Sequence, residues 1–240
     1  MVLLLWYVPL SLLALLLCLL FRRRAYRVCP YFFAYVAFAV AAGAARFLVR
    51  NYAPSYKAVY WSTEACYCVL GILAMYEVFR AVLRARTWWT YLIFPAIVLA
   101  GIVFSLDYAH ATPSKFAGLY FYIVTAEMAV RFVQVFIFIG LGGLALFFGL
   151  RWRQYPLGIA AGFGLYSTVY LLTTIKFSDF GTGFKFWWDI SSVVAYSLAV
   201  LIWIWFFRVP QKEEPPLDPE VVAQYLAMLE QYKNWIRRMR

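Results

Sequence analysis

Histidine and charged side chains are scarce in this sequence. Only 14% of the 240 residues are Asp, Glu, Lys or Arg, and His110 is the single histidine. A soluble domain usually carries about 25% charged residues. Zinc hydrolases and buried haem sites draw on several histidines, so both classes of site are excluded. We interpret the stretch around His110, "DYAHATPSK", as a loop with a solvated histidine.

Cysteine is also sparse, with Cys18, Cys29, Cys66 and Cys68 as its four occurrences. Their spacing matches no disulfide framework and no metal-binding pattern. Ser167 lies in an apolar run that contains no histidine or lysine to act as its base, which a serine nucleophile would need. The sequence therefore predicts no metal site and no cofactor, and it favours a protein that is not an enzyme.

Apolar residues make up 65% of the chain and aromatic residues 21%. A typical soluble domain has about 45–50% apolar residues, so a soluble fold of this length could not bury them all. Lipid is therefore the expected solvent for most of the chain. The net charge of +11 could suggest nucleic acid. Because the cations form short clusters between apolar runs, as membrane orientation requires, we expect a bilayer partner and no nucleic acid.

The apolar residues fall into seven runs, each near the length of about 20 residues that spans a bilayer. They are Val2–Phe21, Pro30–Phe47, Ala58–Leu83, Trp88–Leu106, Phe116–Leu150, Leu157–Ile175 and Phe186–Phe207. We predict an all-α, polytopic membrane protein with a bundle of seven transmembrane helices in residues 1–208. The fifth run has 35 residues, or about 52 Å of helix, so its outer end should project beyond the bilayer or bend.

Lys and Arg residues predict the orientation of this bundle. With the N-terminus outside, the outer segments carry Arg46, Arg50, Lys57, Lys115, Lys176 and Lys185. The inner segments carry more than twice as many, including Arg22, Arg23, Arg24, Arg27, Arg80, Arg84, Arg86, Arg151 and Arg153. Cytoplasmic segments are enriched in these residues, so the pattern favours an N-out/C-in topology.

The C-terminal residues differ from the rest of the chain. Residues 209–217 form a charged, proline-rich linker, and Asp218 then Pro219 supply a helix N-cap and first-turn proline. Apolar residues recur at spacings of three and four from Val222 to Met239, which predicts a cytoplasmic amphipathic helix over 218–240. This tail helix would bind anionic lipid, pack on the bundle or contact a protein partner. An oligomer and a role as a complex subunit both stay open.

Several ionisable residues interrupt the apolar runs. Arg131 is 20 residues before Arg151, so a helix places it about 30 Å from that inner anchor, at the outer boundary of the hydrocarbon core. Glu127 lies one turn further out, at the i,i+4 spacing that allows an ion pair. Counting residues in the same way from the basic inner ends of other helices places Arg46, Glu64 and Asp189 near the same outer boundary of the hydrocarbon core. We call Arg46, Glu64, Glu127, Arg131 and Asp189 the outer polar layer.

Two interpretations of the outer polar layer are open. In the first, its members form pairs that hold helices together at the membrane surface. In the second, they form the wall of an outward-facing site for a small polar or zwitterionic ligand, since charges within spans are functional candidates. Glu77 lies one turn from the inner end of the third run, three residues before Arg80, and is predicted to form a local or interfacial ion pair. The candidate lining residues of the ligand site are Tyr60, Tyr67, Tyr120, Gln134, Tyr166 and Tyr170.

Small residues mark predicted helix contacts in three runs. "AVAAGAA", "GLGG" and "GIAAGFG" would let helices approach closely, and Gly158 and Gly162 have the spacing of a small-xxx-small motif. We interpret all three as ordinary packing within the bundle rather than as special dimer contacts.

The stretches "YWSTEACYCVLGILAMYEVFR" and "WRQYPLGIAAGFGLYSTVYLL" resemble segments of small uncharacterised bacterial seven-span proteins, which end in a short, proline-led cytoplasmic helix. The resemblance implies the bacterial cytoplasmic (inner) membrane but no activity and no functional residues. Three functions follow as hypotheses. The first is a non-enzymatic sensor, receptor-like module or complex subunit, the second a small transporter or channel, and the third a lipid-modifying enzyme that uses Glu64 or Asp189.

Overall fold

The computed structural model describes residues 2–83, 88–111, 119–148, 154–180 and 185–209, and within these ranges the regular structure is entirely helical. The long helices are α1 (Val2–Arg22), α2 (Pro30–Val49), α3 (Ala53–Leu83), α4 (Trp88–Ala111), α5 (Leu119–Phe148), α6 (Gln154–Phe180) and α7 (Lys185–Arg208). A short 3-10 turn, Ala25–Arg27, joins α1 to α2. The chain divides into two compact units, Met1–Pro210 and Gln211–Arg240. Residues 210–217 of the predicted linker and the predicted tail helix 218–240 lie outside the described residues.

Five of these helices are long and apolar enough to cross a membrane: α2, α3, α5, α6 and α7. In α1 and α4 the residues with described side chains include the apolar stretches Tyr7–Arg22 and Leu92–Asp107. The prediction of an all-helical chain is confirmed for the described residues, and five apolar helices of spanning length indicate an integral membrane protein.

Six of the seven long helices extend beyond the apolar runs that predicted them; the exception is α5, whose described range lies within its run. Helix α3 begins at Ala53, before the expected Ala58, and α6 continues to Phe180 rather than Ile175. Helix α4 ends at Ala111, so His110 belongs to its last turn and the predicted loop there is wrong. Helix α5 is continuous from Leu119 to Phe148, so a bend at an irregular turn is wrong for this range, and the projection of its outer end beyond the bilayer stays a prediction. Apolar windows miss such ends because backbone hydrogen bonding continues where polar side chains begin.

Six helices form a closed ring in the order α1, α2, α3, α5, α6 and α7, with α7 packed back on α1. Helix α3 also contacts α6 across the ring. Helix α4 is not part of this ring but packs on its outside, against α5 and α3. Any interior site is therefore built by the six ring helices.

Aromatic side chains fill the ring near the end of α7 that carries Arg208. The Trp203 ring lies 5.1 Å from that of Phe32 and 5.0 Å from that of Phe163, and Tyr155 stacks on Phe207 at 4.3 Å. All five side chains are buried. The glycines of α6 allow this packing, because a Cβ at Gly158 would lie 2.5 Å from Cβ of Phe206 and one at Gly162 would overlap the Trp203 indole.

The other glycine motifs differ from one another. A Cβ at Gly43, in "AVAAGAA", would lie 2.8 Å from Cδ1 of Leu10, so α1 and α2 approach closely there. Gly140, Gly142 and Gly143 of "GLGG" have no neighbouring atom within 4 Å of such a Cβ. The prediction of a close helix contact at "GLGG" is therefore wrong for the described part of the bundle.

Helix termini at the Arg208 end are capped by side chains from other helices. The Glu77 carboxylate of α3 accepts a hydrogen bond from the Phe32 N–H in the first turn of α2, at 3.0 Å. The predicted partner, Arg80, does not supply this contact. At the end of α7, Arg23 Nη2 donates to the Arg208 carbonyl at 2.6 Å, and Gln154 Nε2 donates to the Phe206 carbonyl at 2.8 Å. These contacts satisfy backbone groups that a helix terminus leaves unpaired.

Cys29 precedes α2 at this same end of the bundle and is buried. Its burial, together with the nearby Glu77 carboxylate, raises the pKa of the thiol to about 12. Thiol chemistry proceeds through the thiolate, so Cys29 is a structural cysteine rather than a reactive one.

Candidate functional site

A cavity of about 700 Å³ opens inside the ring toward the end of α7 that carries Lys185. All six ring helices contribute to its wall, which includes the ionisable side chains Arg46, Glu64, Glu127 and Arg131. We call it the polar cavity. Its volume falls within the range of about 300–1,000 Å³ that is usual for small-molecule sites.

Arg46 and Glu64 form an ion pair that joins α2 to α3 at the cavity wall. Nη2 of Arg46 lies 2.9 Å from Oε1 of Glu64. The same guanidinium donates to Oγ1 of Thr63 through Nε, at 2.8 Å, and to the Tyr60 carbonyl at 3.4 Å. One turn of α3 thus supplies a hydroxyl, a carbonyl and a carboxylate to a single arginine, which fixes the position of its side chain.

Arg131 and Glu127 form the second ion pair, within α5. Nη2 of Arg131 lies 3.2 Å from Oε1 of Glu127, at i,i+4 spacing. Nη1 of Arg131 also donates to Oε1 of Gln134 at 3.4 Å, and the Ser167 hydroxyl of α6 donates to that same amide oxygen. The Gln134 and Ser167 side chains are fully enclosed, so polar contacts continue inward from the cavity by one further layer.

Two tyrosines pack on each of the two guanidinium groups. The Arg46 Cζ atom lies 4.6 Å from the ring centre of Tyr60 and 5.6 Å from that of Tyr67. Tyr166 and Tyr170 lie at 4.5 and 5.1 Å from Arg131 Cζ. Cation–π contacts of this kind are favourable where water is excluded, so the rings hold the arginines without neutralising them.

Three buried polar atoms have no hydrogen-bond partner among the described residues: Nε of Arg131, Nε2 of Gln134 and Oγ of Ser192. Arg131 and Ser192 both line the polar cavity. A second cavity of about 10 Å³ lies between Arg131 and Gln134, and this volume is about that of one water molecule. Buried polar atoms are normally paired, so these three indicate where a polar guest would be bound.

The structure brings together most of the predicted outer polar layer. Arg46, Glu64, Glu127 and Arg131 meet at one cavity, and of the predicted lining residues Tyr60, Tyr67, Tyr166 and Tyr170 also reach it, with Gln134 directly behind. Asp189 belongs to α7 and Tyr120 to α5, but their side chains lie outside the described part of the structure. The charged side chains face the interior of the ring and are largely buried.

Several cavity residues were not predicted from the sequence. Helix α1 contributes Pro9, Leu10 and Leu13, and α7 contributes Ile190 and Val193. Apolar residues in spans are the norm, so nothing in their type distinguishes a cavity wall from a lipid-facing surface. The contact between the first and last helices is also a long-range feature that no local pattern indicates.

No protein-family model, curated protein or solved structure matches this chain. The chemistry of the polar cavity is therefore the basis on which a function can be proposed. That chemistry consists of two arginine–glutamate pairs, aromatic walls and two buried polar atoms, Nε of Arg131 and Oγ of Ser192, that have no partner among the described residues.

Proposed function

We propose that this protein is a seven-span, N-out/C-in protein of the bacterial cytoplasmic membrane that binds a small ligand in the polar cavity. It acts as a sensor, a receptor-like module or a subunit of a membrane complex rather than as an enzyme. The observation that carries this proposal is a cavity of about 700 Å³ whose wall holds two ion pairs stacked on tyrosines. Charged groups within membrane helices usually mark functional sites.

Helix lengths and charges support the seven spans and their orientation. Helices α1 and α4 have 21 and 24 residues, or about 31 and 36 Å, each sufficient to cross the hydrocarbon core. Helix α1 ends at Arg22 and is followed by Arg23 and Arg24, and α7 ends at Arg208, so α1 and α7 both have basic inner ends. In this orientation the polar cavity lies in the outer half of the membrane.

The distribution of buried polar residues favours binding over transport. Arg131, Gln134 and Ser167 carry the polar contacts inward, and beyond them the ring is filled by Phe163, Trp203 and other buried aromatic side chains. Conduction needs polar groups or water through the full depth of the bundle. The described residues provide no such path, so a binding site is better supported than a conducting pore.

We would test the ligand proposal by identifying the small molecules that co-purify with the full-length protein. Wild type would be compared with Val193→Trp, which fills the cavity, and with Val194→Trp, whose position is 48% exposed on the outside of α7. We expect mass spectrometry to find a species in wild type and Val194→Trp that Val193→Trp lacks. Identical contents in all three proteins would refute the ligand site.

We assign the contact with a protein partner or with anionic lipid to residues 218–240, the predicted tail helix. A protein that ends at residue 217 should still bind the ligand. Its co-purifying proteins or its attachment to anionic vesicles should differ from those of the full-length protein. A truncated protein that keeps every partner and all vesicle binding would refute this role and would leave the ligand site unaffected.

A further inference from the structure

The polar cavity has two chemically different ends. Arg46, Glu64, Glu127 and Arg131 line the end between α2, α3, α5 and α6. Leu10 and Leu13 of α1, together with Ile190 and Val193 of α7, line the other end, where the Ser192 hydroxyl is the polar exception. A ligand that fits the whole cavity therefore needs a polar part and an apolar part.

The charged end is electrically balanced. Each arginine is paired with one glutamate, so the four side chains carry no net charge when ionised. A ligand with a net charge would bring an uncompensated charge next to side chains that are themselves largely buried, at a high cost. A ligand with one positive and one negative group avoids this cost, because its negative group can approach the arginines and its positive group the glutamates.

Specific atoms at this end suit both halves of a zwitterion. Nε of Arg131 is a buried donor without a partner among the described residues, and this side chain is only 8% exposed. The rings of Tyr35 and Tyr196 add aromatic surface to the wall, and the negative faces of such rings attract ammonium groups. The site thus offers donors for an anionic group and carboxylates with aromatic rings for a cationic one.

The apolar end and the mouth indicate an amphiphile. Apolar walls are best covered by an apolar group, which gains about 25 cal/mol for each Å² removed from water. Phe186 lines the cavity although its side chain is 58% exposed, so the cavity reaches the surface of the bundle beside the first turn of α7. In a membrane that surface is close to lipid headgroups, where an amphiphile would enter with its chain along α1 and α7.

We propose that the ligand of the polar cavity is a zwitterionic amphiphile with an ammonium group and a phosphate or carboxylate in its head. The head lies among Arg46, Glu64, Glu127 and Arg131, and an acyl chain lies against Leu10, Leu13 and Val193. This inference rests on the proposed function and specifies the ligand class of the same site.

Four probes separate the parts of this proposal when added to the full-length protein in a neutral maltoside detergent. They are lysophosphatidylcholine, lysophosphatidylglycerol with the same chain, the matching monoacylglycerol, and free phosphocholine. We expect lysophosphatidylcholine to raise the midpoint of thermal unfolding in a saturable way, with at least ten-fold tighter binding than any other probe. Val193→Trp should abolish this effect and Val194→Trp should not.

A change of charge should change the preference for headgroups. Glu127→Gln leaves Arg131 without its anionic partner, so lysophosphatidylglycerol should gain at least ten-fold relative to lysophosphatidylcholine. Glu64→Gln tests the same point at the other pair if the first variant does not fold. Glu77→Gln removes a carboxylate outside the cavity and should leave the preference unchanged.

Contrary results fall into two groups. If phosphocholine bound as tightly as lysophosphatidylcholine, the acyl chain would not contribute. If the monoacylglycerol or lysophosphatidylglycerol bound as tightly, the zwitterionic head would not be selected. Either result would overturn the proposal of a zwitterionic amphiphile but would leave the ligand site in place. If no probe binds but wild type still carries a co-purified species that Val193→Trp lacks, the class is again overturned and the proposed function stands. If neither is seen, both proposals fail.

Discussion

Nη2 of Arg46 lies 2.9 Å from Oε1 of Glu64, and through this contact the second and third helices are joined at the wall of the polar cavity. Both side chains are mostly buried, at 15% and 12% exposure. Removing one partner of a buried pair leaves the other charge uncompensated, whereas removing both does not.

A double-mutant cycle tests this pair. Arg46→Met and Glu64→Leu alone should each lower the free energy of unfolding by about 3–5 kcal/mol, because each leaves one buried charge. The double variant should be more stable than either single variant. Unfolding would be followed in detergent by tryptophan fluorescence. Additive losses in the double variant would show that the two side chains act independently.

The glycines of α6 and α5 provide a matched pair of substitutions. Gly162→Ala should destabilise the bundle by about 1–3 kcal/mol, since the new methyl group would overlap the buried Trp203 indole. Gly143→Ala is the control, because a Cβ there has no neighbour within 4 Å in the described structure. Equal stability of the two variants would contradict the close packing of α6 on α7.

Glu77 is expected to contribute through its hydrogen bond to the first turn of α2. Glu77→Ala should cost about 1–3 kcal/mol, because it leaves the Phe32 N–H without its acceptor. Glu77→Gln keeps an acceptor oxygen and should cost much less. Thermal unfolding of the three proteins in one detergent measures the difference, and an equally large loss in Glu77→Gln would point to the charge rather than the hydrogen bond.

Cys29 should resist alkylation. Its pKa is raised to about 12, so the thiolate fraction at neutral pH is far below that of an ordinary cysteine, with a pKa of about 8.5. The rate of iodoacetamide labelling should still rise about ten-fold per pH unit between pH 9 and 10, where a cysteine introduced by Tyr26→Cys has already levelled off. Peptide mass spectrometry can follow both sites. A plateau for Cys29 below pH 10 would contradict the buried thiol.

The constant rise of a helix was sufficient to predict which charged residues lie at a similar height along the bundle. Counting from basic anchors placed Arg46, Glu64 and Arg131 together, because the rise of a helix is constant. The i,i+4 spacing of Glu127 and Arg131 likewise predicted their pairing, which the structure contains. These predictions depend on one helix at a time, and a single helix is well described by its sequence.

Features that depend on several helices were not predicted. The position of α4 outside the ring and the contact of α1 with α7 are long-range packing results, and apolar helices look alike in sequence. Glu77 was assigned to Arg80 because its actual partner is a backbone N–H of another helix, which has no side-chain signal. The apolar end of the cavity was missed for the same reason, since Leu10 and Val193 resemble any other lipid-facing or core residue.

The central claim, a ligand cavity that opens toward the outer face of the membrane, is most directly tested by cysteine accessibility at Ile190, which lines the cavity and is partly exposed. Ile190→Cys and, as a control for the opposite face, Tyr26→Cys would be made after replacing the 4 native cysteines with alanine. A membrane-impermeant maleimide added to spheroplasts should label position 190 but not position 26, and Val193→Trp should block the labelling at 190. Labelling at 190 only in inverted vesicles, or labelling that Val193→Trp does not reduce, would contradict the account.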